Sequence, residues 1–211
     1  MAERISRALL PDNTSVADDG MATFGGVRTD DLVTQFGTPL FVYDEDHIRK
    51  RCQEAVKAFP DGVSYASKAF LCKAIAKLVH EEGMGLDVAT IGEAYIALQS
   101  GVPASDLTLH GNNKSMEELR YAVDNGIGKV VIDSFDEIDK IEHLYATTRK
   151  PIKALVRVTP GVEAYTHKYV TTGQVDSKFG FTVQNGQAGK AIERAKSSGA
   201  IDLIGLHAHI G

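Results

Sequence analysis

Six short apolar runs alternate with segments of helical period from about Asp46 to the end of the chain, and this alternation admits very few folds. The runs are GVSYASK (62–68), GLDVA (85–89), LTLHGN (107–112), KVVIDS (129–134), IKALVRV (152–158) and LIGLHAHI (203–210). Between them lie CKAIAKLVHEEG, GEAYIALQSG, MEELRYAVDNG, DEIDKIEHLYATTRK and GQAGKAIERAKSSGA, several of which finish in glycine. Three helix starts pair a hydroxyl with a glutamate three residues later: Thr90 with Glu93, Ser115 with Glu118, and Ser134 with Glu137. Each pair can satisfy orphan backbone donors as a capping box. Strands regularly followed by helices imply a parallel sheet, closed or open. A length of 211 residues falls short of the roughly 250 of a full eightfold α/β barrel.

Parallel α/β folds bind ligands at the carboxyl ends of their strands. Those ends carry Lys68, Asp87, His110, Asp133, Arg157 and the pair His207/His209. Burying charged groups is costly without partners or a ligand, so six such ends together indicate a polar site. Strand alternation puts Ser64, Ala66 and Lys68 on one face, with room for a flat ring above two small residues. A lysine partly desolvated there has a lowered pKa and can form a Schiff base, although most lone lysines lie along a surface. Arg157 suits a carboxylate or phosphate, or an ion pair with an aspartate such as Asp87. His207 and His209 share a strand face, either as a metal pair or with one imidazole laid against a ring. His110 reads equally as a site group or a satisfied core histidine. The stretch from Gly161 to Gly180 is the one long irregular insertion, and loops of that length in a compact domain are usually functional or disordered.

The remaining signals narrow the function classes. A net charge of -5 without a basic cluster argues against nucleic acid or an anionic membrane as partner. No apolar run approaches the roughly 18 to 20 residues of a membrane helix, and the start has no apolar leader core, so a cytoplasmic setting is expected. Two cysteines, Cys52 and Cys72, are too few for a disulfide framework and are not in metal-binding C-x-x-C spacing. No phosphate-loop signature or G-x-S-x-G elbow occurs, and GMGLDV fails as a dinucleotide fingerprint. Before the repeating region, a short strand is expected around Met21 to Val27 and a helix from Thr29 to Gly37. The β-rich stretch Leu40-Phe41-Val42-Tyr43 follows. The expected division is an N-terminal segment, 1–42, and an α/β domain, 43–211.

YASKA (Tyr65 to Ala69), GLDVATIGE (Gly85 to Glu93), HGNNKS (His110 to Ser115), VRVTPGVEAYTH (Val156 to His167), TGQVDSKFG (Thr172 to Gly180) and GLHAHIG (Gly205 to Gly211) occur in this order. Together they resemble the diaminopimelate branch of the pyridoxal-phosphate decarboxylases of alanine-racemase fold. The resemblance runs from about Gly25 to the end. It implies a TIM-type (β/α)8 barrel that binds pyridoxal 5'-phosphate, here incomplete at about six strand-helix units and without its C-terminal all-β domain. Lys68 looks like the lysine that joins the cofactor covalently and His209 like the histidine that stacks on its ring. Asp87 and Arg157 look like paired strand-end residues at the cofactor, with His110 and Asn112 from the third-strand motif. Lys178 and His167 look like substrate-side loop residues. No metal is implied. The implied reaction is decarboxylation of meso-2,6-diaminopimelate to L-lysine, the last step of lysine biosynthesis, by a homodimer with shared active sites. The family motif continues past Gly211, so the chain is expected to be a fragment and inactive alone. The alternatives are an ornithine- or arginine-type decarboxylase of the same fold, a non-catalytic carrier of the same cofactor, and a metal-dependent hydrolase using His110, His207, His209 and Asp133.

Overall fold

The computed structural model describes residues 6–161 and 179–209. Two compact units are present, residues 1–63 with 81–84, and residues 64–80 with 85–211. The first contains a three-stranded antiparallel sheet of β1 (Ser15–Val16), β2 (Ala22–Phe24) and β3 (Val27–Arg28), then helices α1 (Thr29–Phe36) and α2 (Glu45–Ala58). The strand expected at Met21 to Val27 is thus a hairpin. Helix α1 begins and ends where the sequence indicated, and Gly37 closes it with φ 77°. Asp44 caps α2 by accepting the His47 N–H. Leu40–Tyr43 forms no strand despite its β-prone residues. All four side chains are exposed, and a strand without a pairing neighbour leaves its backbone groups to water.

The second unit carries the repeating region. Its strands are β4 (Ser64–Ala66), β5 (Gly85–Val88), β6 (Leu107–Leu109), β7 (Lys129–Ile132), β8 (Ile152–Thr159), β9 (Phe181–Thr182) and β10 (Ile201–His207). Six of them lie in the order β4-β5-β6-β7-β8-β10, all parallel, while short β9 adds to β8 off this path. Because each strand joins on the same side as the one before, right-handed crossovers put every helix on one face. That is the winding of a barrel; a doubly wound sheet would reverse its order. β4 and β10 each have one neighbour in this path, so both are edges among the described residues.

Five helices follow the strands: α3 (Lys73–Glu81), α4 (Ile91–Gln99), α5 (Met116–Asn125), α6 (Phe135–Thr148) and α7 (Gln187–Ser197). Their buried residues recur at helical spacing, as with Ile75, Leu78 and Val79 in α3 or Ile138, Ile141 and Leu144 in α6. The central strands β6 and β7 are buried on both faces, at Leu107, Thr108 and Leu109 and at Val130, Val131 and Ile132, while β5 and β8 bury alternate residues such as Leu86 and Val88 or Ala154 and Val156. Only one of the three expected capping boxes is reciprocal, Ser115 with Glu118. Thr90 and Ser134 do accept from the backbone of Glu93 and Glu137. The two glutamate side chains instead reach one residue further back, to the N–H groups of Ala89 and Asp133.

Backbone packing before β7 requires glycine at position 128. A Cβ there would lie 2.0 Å from the Ser105 carbonyl oxygen, which belongs to a tight turn ahead of β6. Gly128→Ala is therefore expected to destabilise the chain by at least about 2 kcal/mol. Gly189, inside α7 with open space around it, should respond oppositely, gaining about 0.5–1 kcal/mol as alanine. Urea midpoints of the two variants check this contrast.

Candidate active site

Parallel register brings the polar strand ends level with one another. Asp87 stands opposite Ala66 on one side and Thr108 on the other. Arg157 stands opposite His207. The resulting cavity, of about 340 Å³, is lined by Lys68, Asp87, His110, Asn112, Arg157 and His209, together with Glu93 and Phe179. Lys178 and His167 lie outside the described residues.

Lys68 sits in a single 3-10 turn, Ser67–Ala69, just beyond β4. It is exposed, and its amine makes no hydrogen bond or ion pair among the described residues. The desolvating surroundings expected for it are not formed by the described residues of this unit, in which β4 is an edge strand and Ser64 and Ala66 are exposed as well.

Arg157 is held from beneath. Its Nη1 lies 3.3 Å from Asp133 Oδ1, and its guanidinium carbon is 4.5 Å from the Phe179 ring centroid. Asp133 Oδ2 accepts the Gly180 N–H, which fixes the chain leaving the insertion. The expected pairing of Arg157 with Asp87 is thereby corrected. β8 neighbours β7, which Asp133 directly follows, whereas β5 is three strands away. Burial lowers the Arg157 pKa, opposed by Asp133. Asp87 instead faces His110, with Oδ1 3.3 Å from Nε2.

The three histidines form a contact series. His207 meets His110 edge to face at 5.0 Å and His209 at 4.9 Å between ring centroids. Burial, with His110, His209 and Arg157 close by, pushes the His207 pKa down to about 4, and burial lowers that of His209 also. The folded state therefore holds His207 neutral where the unfolded chain would bind a proton. Its contribution to stability is complete above the ordinary value of 6.5 and is lost as the pH falls toward about 4. His207→Gln is expected to flatten the fall in urea midpoint between pH 7 and pH 5. An unchanged slope would contradict the assignment.

Sequence reasoning missed the groups that hold these loops. Lys114 and Glu137 are almost completely buried, with Nζ 2.9 Å from Oε2. Lys114 also donates to the carbonyls of Gly111 and Val131, and its own N–H reaches Glu137 Oε1. Glu137 Oε2 accepts the Asp133 N–H. One buried pair thus joins the loop carrying His110 and Asn112 to the loop carrying Asp133. The only sequence signals were a lysine in the HGNNKS motif and a glutamate read as a capping partner.

Residues 45–211 match the family described as the pyridoxal binding domain of pyridoxal-dependent decarboxylases. The chain is 49% identical over 197 residues to diaminopimelate decarboxylase of Bacillus subtilis (strain 168), covering 91% of the chain and 45% of that protein. It is 45% identical over 203 residues to the enzyme of Bacillus methanolicus, covering 94% and 47%. A crystal structure of diaminopimelate decarboxylase from M. jannaschii in complex with L-lysine superposes with a TM-score of 0.85 at 32% identity, covering 95% of this chain and 48% of that one. The chain spans about half the length of the relatives it matches. No described helix is long and apolar enough to cross a membrane.

Proposed function

Because the chain belongs to the pyridoxal-dependent decarboxylases through their pyridoxal-binding domain, we propose that it supplies the cofactor-binding half of a carboxy-lyase acting on meso-2,6-diaminopimelate and yielding L-lysine. The observation that carries this reading is the meeting of Lys68, Asp87, His110, Arg157 and His209 around one cavity, in a chain near 45–49% identity to diaminopimelate decarboxylases. The barrel is taken to begin at Tyr43, and the working protein to be a cytoplasmic homodimer.

The residues fit pyridoxal phosphate. Among the described residues, the amine of Lys68 has no competing partner and shares a cavity with His110, Arg157 and His209, while the Oγ of Ser67, next to Lys68 in the chain, and the Nδ1 of His207 are buried without hydrogen-bond partners. When bound, the cofactor supplies an electron sink for the electron pair left as a carboxylate departs as carbon dioxide. Lys68 would hold the cofactor covalently through Nζ, its amine being the nucleophile available for that bond. His209 would offer the face of its ring, whose charged form burial disfavours. Asp87 orients His110 through Nε2. Arg157, gripped by Asp133 and Phe179, brings fixed positive charge to the cavity floor. Asn112, Lys178 and His167 are assigned to the substrate side.

The test compares meso-diaminopimelate, L-ornithine, L-arginine and L-lysine on the cofactor-loaded protein. Carbon dioxide release is followed for the chain itself and for the chain joined to the remaining half of a relative. Release from diaminopimelate well above the others supports the reading. A preference for ornithine or arginine overturns the substrate, and cofactor uptake without release from any amino acid by the joined protein favours a carrier.

A further inference from the structure

The three histidines have an arrangement that the proposed reaction does not fully use. His110 follows β6, His207 ends β10, and His209 lies two residues beyond it. One ring nitrogen of each lies within 4.8 Å of those of the other two. Independently, His207 Nδ1 is buried and has no hydrogen-bond partner among the described residues. Leaving such an atom unsatisfied is costly, so a ligand that meets it is favoured. A carboxylate adjoins the group, since Asp87 Oδ1 is 3.3 Å from His110 Nε2. The nearby positive charge of Arg157 is directed into its own pair with Asp133.

Three imidazoles beside a carboxylate are the donor set of a zinc-type ion, with metal–nitrogen distances of about 2.0–2.1 Å. Tetrahedral ligands at that distance lie about 3.3 Å apart, which requires the nitrogens to close by up to about 1.5 Å. His209 can supply the movement because it lies past the last strand residue, His207. We propose that His110, His207 and His209 bind one transition-metal ion of zinc type beside the cavity that His110 and His209 line, and that this ion and pyridoxal phosphate exclude each other. Metal binding stands on the histidine geometry alone; mutual exclusion rests also on the cofactor reading above.

The metal-free chain, without cofactor, is titrated with cobalt(II), read by its visible absorption, and with zinc(II), read by competition with a chromophoric chelator. One ion per chain is expected. Affinity should fall by at least about tenfold in His207→Ala and in His209→Ala, and stay unchanged in His143→Ala, which alters an exposed histidine of α6. Far-UV circular dichroism establishes that each variant is folded, and the shape-conserving His207→Gln serves if the alanine form is not. Equal affinity in the His207 and His209 variants overturns the site. Borohydride labelling of Lys68 by pyridoxal phosphate is then compared with and without one equivalent of zinc. Suppression by zinc is expected, and undiminished labelling of the zinc-bound chain overturns exclusion. Failure of labelling in the metal-free chain sinks the cofactor reading, while the titration decides the metal site by itself.

Discussion

Glu137→Ala is expected to cost about 3–5 kcal/mol of folding stability, the range for removing one partner of a buried ion pair. The cause is the ammonium left behind. Lys114 is 1% exposed and Glu137 fully enclosed. Burial already lowers the Lys114 pKa, and Glu137 is the chief influence raising it. Without Glu137 the amine must either stay charged in the interior or lose its proton and with it part of its donation to the Gly111 and Val131 carbonyls. The N–H groups of Lys114 and Asp133 also lose their acceptor. Urea unfolding measures the loss. The double variant Lys114→Met/Glu137→Leu is expected to be milder than Glu137→Ala alone, because both charges go together. Additive losses would mean that the two residues act separately. Stability is not the whole consequence, since the pair joins the loop of His110 and Asn112 to that of Asp133.

Lys68→Ala should have the opposite profile, with a total functional loss and almost no structural one. The side chain is exposed and makes no hydrogen bond or ion pair among the described residues, so unfolding should move by no more than about 0.5 kcal/mol. Covalent retention of pyridoxal phosphate should vanish, and with it any turnover. Dialysis after cofactor loading, followed by the visible spectrum, separates the two readouts. A variant that retains the cofactor as the parent chain does would remove Lys68 from its assigned role.

The contrast between these two residues also explains what the sequence disclosed. The alternation of apolar runs and helical segments contained the six parallel strands, since a strand's burial and a helix's stripe are local periodicities. The strand-end rule then found Lys68, Asp87, His110, Arg157 and His209, which line the cavity. Pairing was harder. Arg157 turned out to face Asp133, and chain order alone would have indicated it, because consecutive strands lie side by side. Lys114 and Glu137 were opaque for a different reason. A lysine in a polar loop and a glutamate in a first helical turn have the composition of a surface, and only tertiary packing buries them. Leu40–Tyr43 shows the converse, where strand propensity without a pairing neighbour yields no strand.

The central claim is that this strand-end cavity holds pyridoxal phosphate through Lys68. The most direct measurement is to incubate the chain with the cofactor, reduce with borohydride, digest, and locate the added mass. A single modified peptide carrying the adduct on Lys68 is the predicted result. Label scattered over surface lysines, or concentrated on a lysine other than Lys68, would contradict it.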